Sequence, residues 1–434
     1  MKSRPTAWPI EARRETIGVS AVQEPDSHDH RLRLQPRGSS QGGLRQYNER
    51  VVLQAIRLHG ALPGAEIARL TRLTAQTISL ITKRLIDDGL LLKGEPVRGK
   101  VGQPSVPLSL NPDGAYSIGV KVGRRSMDIL LMDFSGQTRQ RWSLAYPHAD
   151  PDLLLPEITL RLRDVRRKLG RDKRERIEGI GIAAPLSMGG WQTLLGVPSN
   201  VADKWLRFDL AREVAGRTEL PVELIKDTTA ACVAELVAGR GRGMKSFLYV
   251  FVNTFVGGGL VLDSHLHGGL SGNAGAIGSL PLWAAPHKEP ADASQPPGQL
   301  LSVASLLNLE QRFAAAGLSA GAVIDARGLQ EPWLSVTRTW IAEAGSAIAL
   351  AMIASACILD IEGVILDGSL SRELLAALLA ETRLALGRFN WEGVVRPHLI
   401  AGTIGPDAMV LGGALLPLHA SYAPDRDLFL KLGA

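Results

Sequence analysis

A small, basic, helical head ahead of a two-lobed α/β body is the fold class predicted by this 434-residue sequence. Three observations predict it. Charge is uneven, with 17 Lys and Arg against 10 Asp and Glu in residues 1–110 and a near-balance of −1 beyond them. Short helical periods separated by a turn fill the front, whereas strand and helix patterns alternate after Asn111. Finally, IGVKVGRRSMDILLMDFSGQ is echoed by YVFVNTFVGGGLVLDSHLHG. Each reads strand, glycine turn, strand, Asp and second turn, and their aspartates, Asp133 and Asp263, lie 130 residues apart. Such a duplicated hairpin suggests two similar lobes facing a cleft.

Residues 1–43 mix Pro, Arg, Ser, His and Gly without a sustained period and read as a disordered leader. The head follows over 44–110. Tyr47–His59 puts Val52, Ala55 and Ile56 on one helical face and stops at Gly60, and a second short helix covers Ala65–Leu70. Thr74 caps a third helix, whose apolar stripe of Ile78, Ile81 and Leu85 ends before Gly89. Two β-like pieces, Leu90–Lys93 and Val106–Leu110, form a hairpin wing around GEPVRGKVGQPS. Together these predict an N-terminal winged helix–turn–helix.

A first α/β lobe over 111–235 and a second over 236–434 come next. The first shows strands at Ser117–Lys121, Met127–Asp133, Ile177–Ala183 and Val222–Ile225, with helices at Pro151–Leu169 and Thr228–Ala238. The second shows strands at Phe247–Asn253 and Leu260–Asp263 and helices at Leu300–Ala315 and Thr337–Ala356.

Composition narrows the setting. Cys232 and Cys357 both lie in small, apolar helical contexts, which favours buried free thiols and a reducing cytoplasmic compartment. The N-terminal residues lack the apolar core of a secretory signal. The run Gly345–Leu359 falls short of the ~20 residues of a spanning helix and is rich in small residues. It reads as a packed core helix, so no membrane association is expected.

The basic head points to a polyanion, and its third helix supplies suitable groups. Behind the cap Thr74, the polar face offers Gln76, Thr77 and Ser79, then Lys83 and Arg84. Short hydrogen-bonding side chains suit base edges and the cations suit phosphates. Arg98, Lys100 and Gln103 lie in the glycine-rich wing, where a slim loop can enter a minor groove. A helical interaction domain with a solvated polar face is the competing reading. Agreement among helix lengths, turn, wing and charge argues against it.

From about Leu44 to the end, the order of motifs resembles the ROK family of bacterial repressors and sugar kinases. The resemblance rests on RGKVGQPSVPLSLNPDG, GIGIAAP (Gly179–Pro185), IKDTTAACVAE (Ile225–Glu235), NTFVGGGLVLDSHLHGG (Asn253–Gly269) and GNAGAIGSLPL (Gly272–Leu282). It implies lobes of the actin-like, ribonuclease-H-like ATPase fold, and the fused winged helix resembles the repressor branch. The family's kinases carry D-x-G-G-T in the first glycine turn, where this chain has Lys121-Val-Gly-Arg-Arg. A lysine cannot hold Mg²⁺, and Arg124 and Arg125 bring bulk. The second turn, usually G-T-G, reads Asn253-Thr254-Phe255, although Gly257, Gly258 and Gly259 are kept. No catalytic residue, metal or cofactor is therefore expected, and the arginines read as the remnant of a phosphate loop or as salt-bridge partners.

By the same resemblance, Asp227 stands where the kinases place the carboxylate that takes a sugar hydroxyl's proton. A binding role is what is left to it here, with a helix cap at Thr228 as the alternative. Asn200 resembles a sugar-contacting asparagine. Ala276 and Ser279 replace the Glu and His of G-E-x-G-H, and a further family Glu falls near Ser302. The cysteine-rich zinc loop is missing, and His287 alone cannot make a metal site. An effector would be read through Asn200, Asp227, Ser279 and Ser302.

These readings combine into a cytoplasmic DNA-binding transcription regulator, a repressor of carbohydrate uptake or catabolism genes. It would bind a pseudo-palindromic double-stranded operator as a homodimer or homotetramer, with a sugar or sugar derivative as effector. A sugar kinase with a fused DNA-binding head, and a regulator whose α/β body is only an oligomerisation scaffold, are the rivals.

Overall fold

Two five-stranded sheets with the same strand order organise the body of the protein. The computed structural model describes residues 41–96, 105–188, 195–282 and 298–424, of which 47–424 fall in one compact unit.

In the head, α1 (Gln41–His59) precedes β1 (Leu62–Pro63), α2 (Gly64–Thr71), α3 (Ala75–Asp87), β2 (Leu91–Lys93) and β3 (Pro107–Leu110). The helices share Val52, Leu53, Ile56, Ile67, Ile78, Ile81 and Leu85 as their buried face, matching the expected stripe on α3. The strands pair antiparallel in the order β1-β3-β2. Thr74 caps α3 as expected, its hydroxyl accepting from the Thr77 N–H at 3.2 Å. Residues 41–43 of the expected disordered leader are helical, as the opening of α1; the first N–H groups of a helix need no intrahelical partner, so glycines are tolerated there. The rest of that leader lies outside the described residues, as do Arg98, Lys100 and Gln103 of the wing and His287.

The first lobe runs β4 (Tyr116–Val122), β5 (Ser126–Asp133), β6 (Thr138–Ala145), α4 (Pro151–Arg174, kinked at Gly170), β7 (Ile177–Ala184), α5 (Ser199–Trp205), α6 (Leu210–Ala215), β8 (Val222–Lys226) and α7 (Asp227–Ala238). The second runs β9 (Phe247–Val252), β10 (Gly257–Leu262), β11 (His265–His267), α8 (Leu300–Ala304), α9 (Leu306–Ala315), α10 (Leu334–Leu359), β12 (Gly363–Gly368), α11 (Arg372–Leu386), β13 (His398–Ala401) and α12 (Ala408–Tyr422). The sheets are ordered β6-β5-β4-β7-β8 and β11-β10-β9-β12-β13. In each, a three-stranded antiparallel meander is extended by two parallel strands. The sequence echo thus corresponds to β4–β5 and β9–β10, the same hairpin in each lobe.

One expected helix differs. Leu300–Ala315 is broken at Ser305, which is extended (φ −81°, ψ 151°) and whose hydroxyl accepts from the Val256 N–H at 2.9 Å. The apolar run near Gly345 belongs to the longer α10, whose length and composition would suffice to cross a membrane. Instead, Trp340, Ala344, Ile348 and Met352 are buried in the second-lobe core beside α11 and α8.

The C-terminal helix α12 leaves the second sheet and packs on β4, β7 and α7 of the first lobe. Glycines make the approach possible. A Cβ on Gly412 would lie 1.7 Å from the Ala230 carbonyl oxygen, and one on Gly181 would lie 2.0 Å from that of Gly413. The head joins the same core: Arg57 donates to the Phe134 carbonyl at 3.1 Å, and Arg242 donates to the Leu58 carbonyl at 2.9 Å.

Gly412→Ala should therefore destabilise the protein by about 1–3 kcal/mol or more through overpacking. Gly243→Ala, where a Cβ meets open space, should stay within about 0.5 kcal/mol. Urea unfolding of the two variants checks the contrast.

Candidate functional site

The two hairpin turns face each other across a cavity of about 210 Å³. Arg124 comes from the β4–β5 turn, Ser187 from the segment after β7, and Lys226 and Asp227 from the β8–α7 junction. Phe255 comes from the β9–β10 turn, Gly257 from the start of β10, and Asn273, Ala276 and Ser279 from the segment after β11.

Asp227 opens α7, and its Oδ1 accepts from the Thr228 N–H at 2.7 Å. Burial pushes its carboxyl pKa up, against the opposing pull of that N–H and of Arg124, Lys226 and Lys121. The helix-turn contact and the position at the cavity wall coexist in this one residue. Lys226 is 8% exposed and donates to Asn273 Oδ1 at 3.2 Å and to the Ala274 carbonyl at 3.1 Å. Desolvation lowers its pKa to about 8, with Asp227 and Cys232 pulling the other way.

The first-turn cations have definite partners. Lys121 binds Ser126 Oγ at 2.8 Å and Asp128 Oδ2 at 3.2 Å. Asp128 also accepts from Ser143 at 2.6 Å and Arg141 at 3.0 Å. Arg125 forms an ion pair with Glu310 of α9 at 2.8 Å, and the Arg124 guanidinium lies 4.8 Å from the Phe255 ring centroid. Both arginines therefore reach from the first lobe to the second. Burial pushes the Arg124 pKa down, and the Asp227 charge opposes this.

Gly257 and Gly259 also have a packing reason to lack side chains. A Cβ on Gly257 would lie 2.8 Å from Thr228 Cγ2, and one on Gly259 would lie 2.5 Å from Cys232 Cβ. These glycines let β10 lie against α7, whatever the cleft holds.

Of the four expected effector residues, the cleft brings together Asp227 and Ser279. Asn200, exposed in α5, does not line it, and neither does Ser302, whose hydroxyl donates to the Gln299 carbonyl at 2.6 Å. Arg124, Ser187 and Asn273 line the cavity without having been singled out as ligand contacts. The sequence signals were the glycine turn for Arg124 and the motif GNAGAIGSLPL for Asn273; Ser187 carries none.

On α3, Gln76, Ser79 and Lys83 are exposed on one side, together with Leu80, which is 67% exposed. Thr74 and Thr77 hydrogen-bond one another through their hydroxyls at 2.8 Å. Arg84 pairs with Glu49 at 3.5 Å and Asp88 at 3.7 Å.

Residues 117–420 match the model of the ROK family, and this match decides the assignment. The chain belongs to the ROK family. The protein is 23% identical over 244 residues to the xylose repressor of Bacillus subtilis, covering 55% of this chain and 61% of that relative's length. Among solved structures it is similar to a ROK family transcriptional regulator homologous to the E. coli MLC protein, at TM-score 0.64, 20% identity and coverage of 87% of this chain and 97% of that one. It is also similar to a ROK family glucokinase from Streptomyces griseus solved with glucose and AMPPNP, at TM-score 0.54, 20% identity and coverage of 70% and 99%. At these identities the structural likenesses establish the fold, the actin-like sugar-kinase architecture of this ROK protein.

Lys226 supplies a check on the cleft. The charged form is disfavoured in the folded state, so unfolded chains hold the extra proton between about pH 8 and the ordinary lysine pKa. Its contribution to stability should rise with pH across that window. Unfolding measured from pH 7.5 to 10 should show this gain in the native protein and lose it in Lys226→Met.

Proposed function

We propose that this ROK protein is a DNA-binding transcriptional repressor whose two-lobed body senses a sugar or sugar derivative. The observation carrying this is α3: a capped helix whose apolar side is buried in the head and whose other side presents Gln76, Ser79 and Lys83 to solvent. Residues 44–110 are read as a winged helix–turn–helix in which α3 enters a major groove and the hairpin around Arg98, Lys100 and Gln103 follows the backbone or minor groove. Thr74 and Thr77 serve that helix mainly by capping it, and the ion pairs of Arg84 tie it to the head, which leaves Gln76 and Ser79 for base edges and Lys83 for phosphate. The relative named a xylose repressor supports both the regulatory role and the sugar link.

The lobes, read as 111–235 and 236–434 with α12 returned to the first, form the effector-binding part. Asp227 and Ser279 are its polar contacts within the cleft, and Asn200 and Ser302, which do not line it, are left out of the proposed contact set. Mg²⁺–ATP does not fit the first turn: Lys121 takes the carboxylate's place and Asp128 is committed to Lys121, Ser143 and Arg141. Phe255 under Arg124 occupies the second turn. These features favour a non-enzymatic regulator; the two-fold symmetry with which helix–turn–helix heads read paired half-sites suits a homodimer or homotetramer, acting in the cytoplasm.

Binding of the full chain to duplex DNA from upstream of its own gene, titrated against salt by fluorescence anisotropy, tests the proposal. Specific binding should weaken linearly in log–log form with added salt. Lys83→Ala should lower affinity for all duplexes and reduce the salt slope by about 1, whereas Gln76→Ala or Ser79→Ala should cost about 1–3 kcal/mol at one base pair and relax its specificity. Absence of DNA binding together with sugar-dependent ATP consumption that needs Asp227 would replace this reading with a kinase.

A further inference from the structure

Charge in the cleft is not balanced. Among the described residues lining it, Arg124 and Lys226 are cationic and Asp227 is the single carboxylate. Arg124 faces an aromatic ring, and Lys226 donates to an amide oxygen and a backbone carbonyl, so neither cation is hydrogen-bonded to a carboxylate and the two share Asp227 as their one opposing charge in the cleft. The other cations of the turn are compensated where they stand, Lys121 by Asp128 and Arg125 by Glu310. A neutral sugar in this cavity would remove water from the surplus cation and give it no counter-charge, which is costly in a desolvated site. A ligand carrying one negative charge would supply it.

We propose that the effector is a sugar acid, a monoanionic polyol whose carboxylate is held by Arg124 and Lys226 while its hydroxyls meet Asp227, Ser187, Asn273 and Ser279. The inference rests on the reading of the cleft as an effector site. The geometry favours it in two further ways. The guanidinium fork matches a carboxylate in bidentate fashion, and the cations come from the first lobe whereas Ser279 and Asn273 come from the second, so a ligand at this seam, where Lys226 already meets Asn273, can reach groups of both lobes. A single carboxylate brings the cavity to neutrality, whereas a phosphate dianion overshoots it.

Calorimetric titration of the full chain tests this, with D-glucuronate, D-gluconate and D-xylonate set against D-glucose, D-xylose and glucose 6-phosphate. At least one sugar acid should bind tenfold or more tightly than its parent aldose. Arg124→Gln and Lys226→Gln should each reduce acid binding at least tenfold and weaken it at least fivefold more than aldose binding, and Arg124→Lys should restore part of the preference. A cooperative melting transition identifies the variants that are folded. Aldose binding equal to or tighter than acid binding would overturn the inference while leaving the effector site standing. Tighter binding of the sugar phosphate than of every acid would overturn the monoanion assignment. Silence from all of these ligands would remove the effector reading together with the inference.

Discussion

The contact between α7 and α12 is the constraint on which the body of this protein depends. Gly412 lies so close to the Ala230 carbonyl that no side chain fits, and Gly181 on β7 receives the Gly413 carbonyl in the same way. With those spacers absent, the C-terminal helix lies directly on the first sheet although the chain reaches it through the second. The other side of α7 meets β10 through Gly257 and Gly259. One helix therefore touches elements of both lobes, and its first residue, Asp227, is carried to the cavity wall by that packing.

Glu235, fully buried near the end of α7, strengthens the arrangement. It accepts from the backbone N–H groups of Arg240, Thr403 and Ile404, so one carboxylate holds both the exit of α7 and the loop that leads towards α12. At the opposite end of the helix, the cleft is bridged by softer contacts, the Arg124 stack on Phe255 and the exposed Arg125–Glu310 pair. Rigid packing at one end and weaker, partly solvated contacts at the other are what a hinged pair of lobes requires.

Much of this was legible in the sequence because it follows from period and caps. The stripe of Ile78, Ile81 and Leu85 and the Thr74 cap located α3, and the paired glycine hairpins predicted two lobes that prove to share one sheet order. Strand β6 was not read, since its TRQRWSLA is a charged, half-exposed edge with little apolar signal. Strand β10 was read late, because three glycines hide a strand whose reason is close packing against α7. Helix α12 is absent from the sequence reading altogether, and residue spacing would in any case report a helix without the partner it chooses. In the cleft, Asp227 and Ser279 are legible from motif position, and Asn273 shares the motif of Ser279, whereas Ser187 stands on a segment without any local pattern, and only the fold brings it alongside.

The arginines that tie α1 to the body, among them Arg50, which donates to the Ala423 carbonyl at the end of α12 at 3.2 Å, have a mechanical consequence. Arg57 fastens the last turn of that helix to Phe134 in the first lobe, while Arg242, on the segment leading into the second lobe, grips the carbonyl of the very next residue, Leu58. The head is thus tied to both lobes, over a buried face that it shares with Leu130, Met132 and Phe134 of the first. Any swing of the lobes, by even a few degrees, would have to tilt that helix or break one of these bonds, since no slack tether joins head to body.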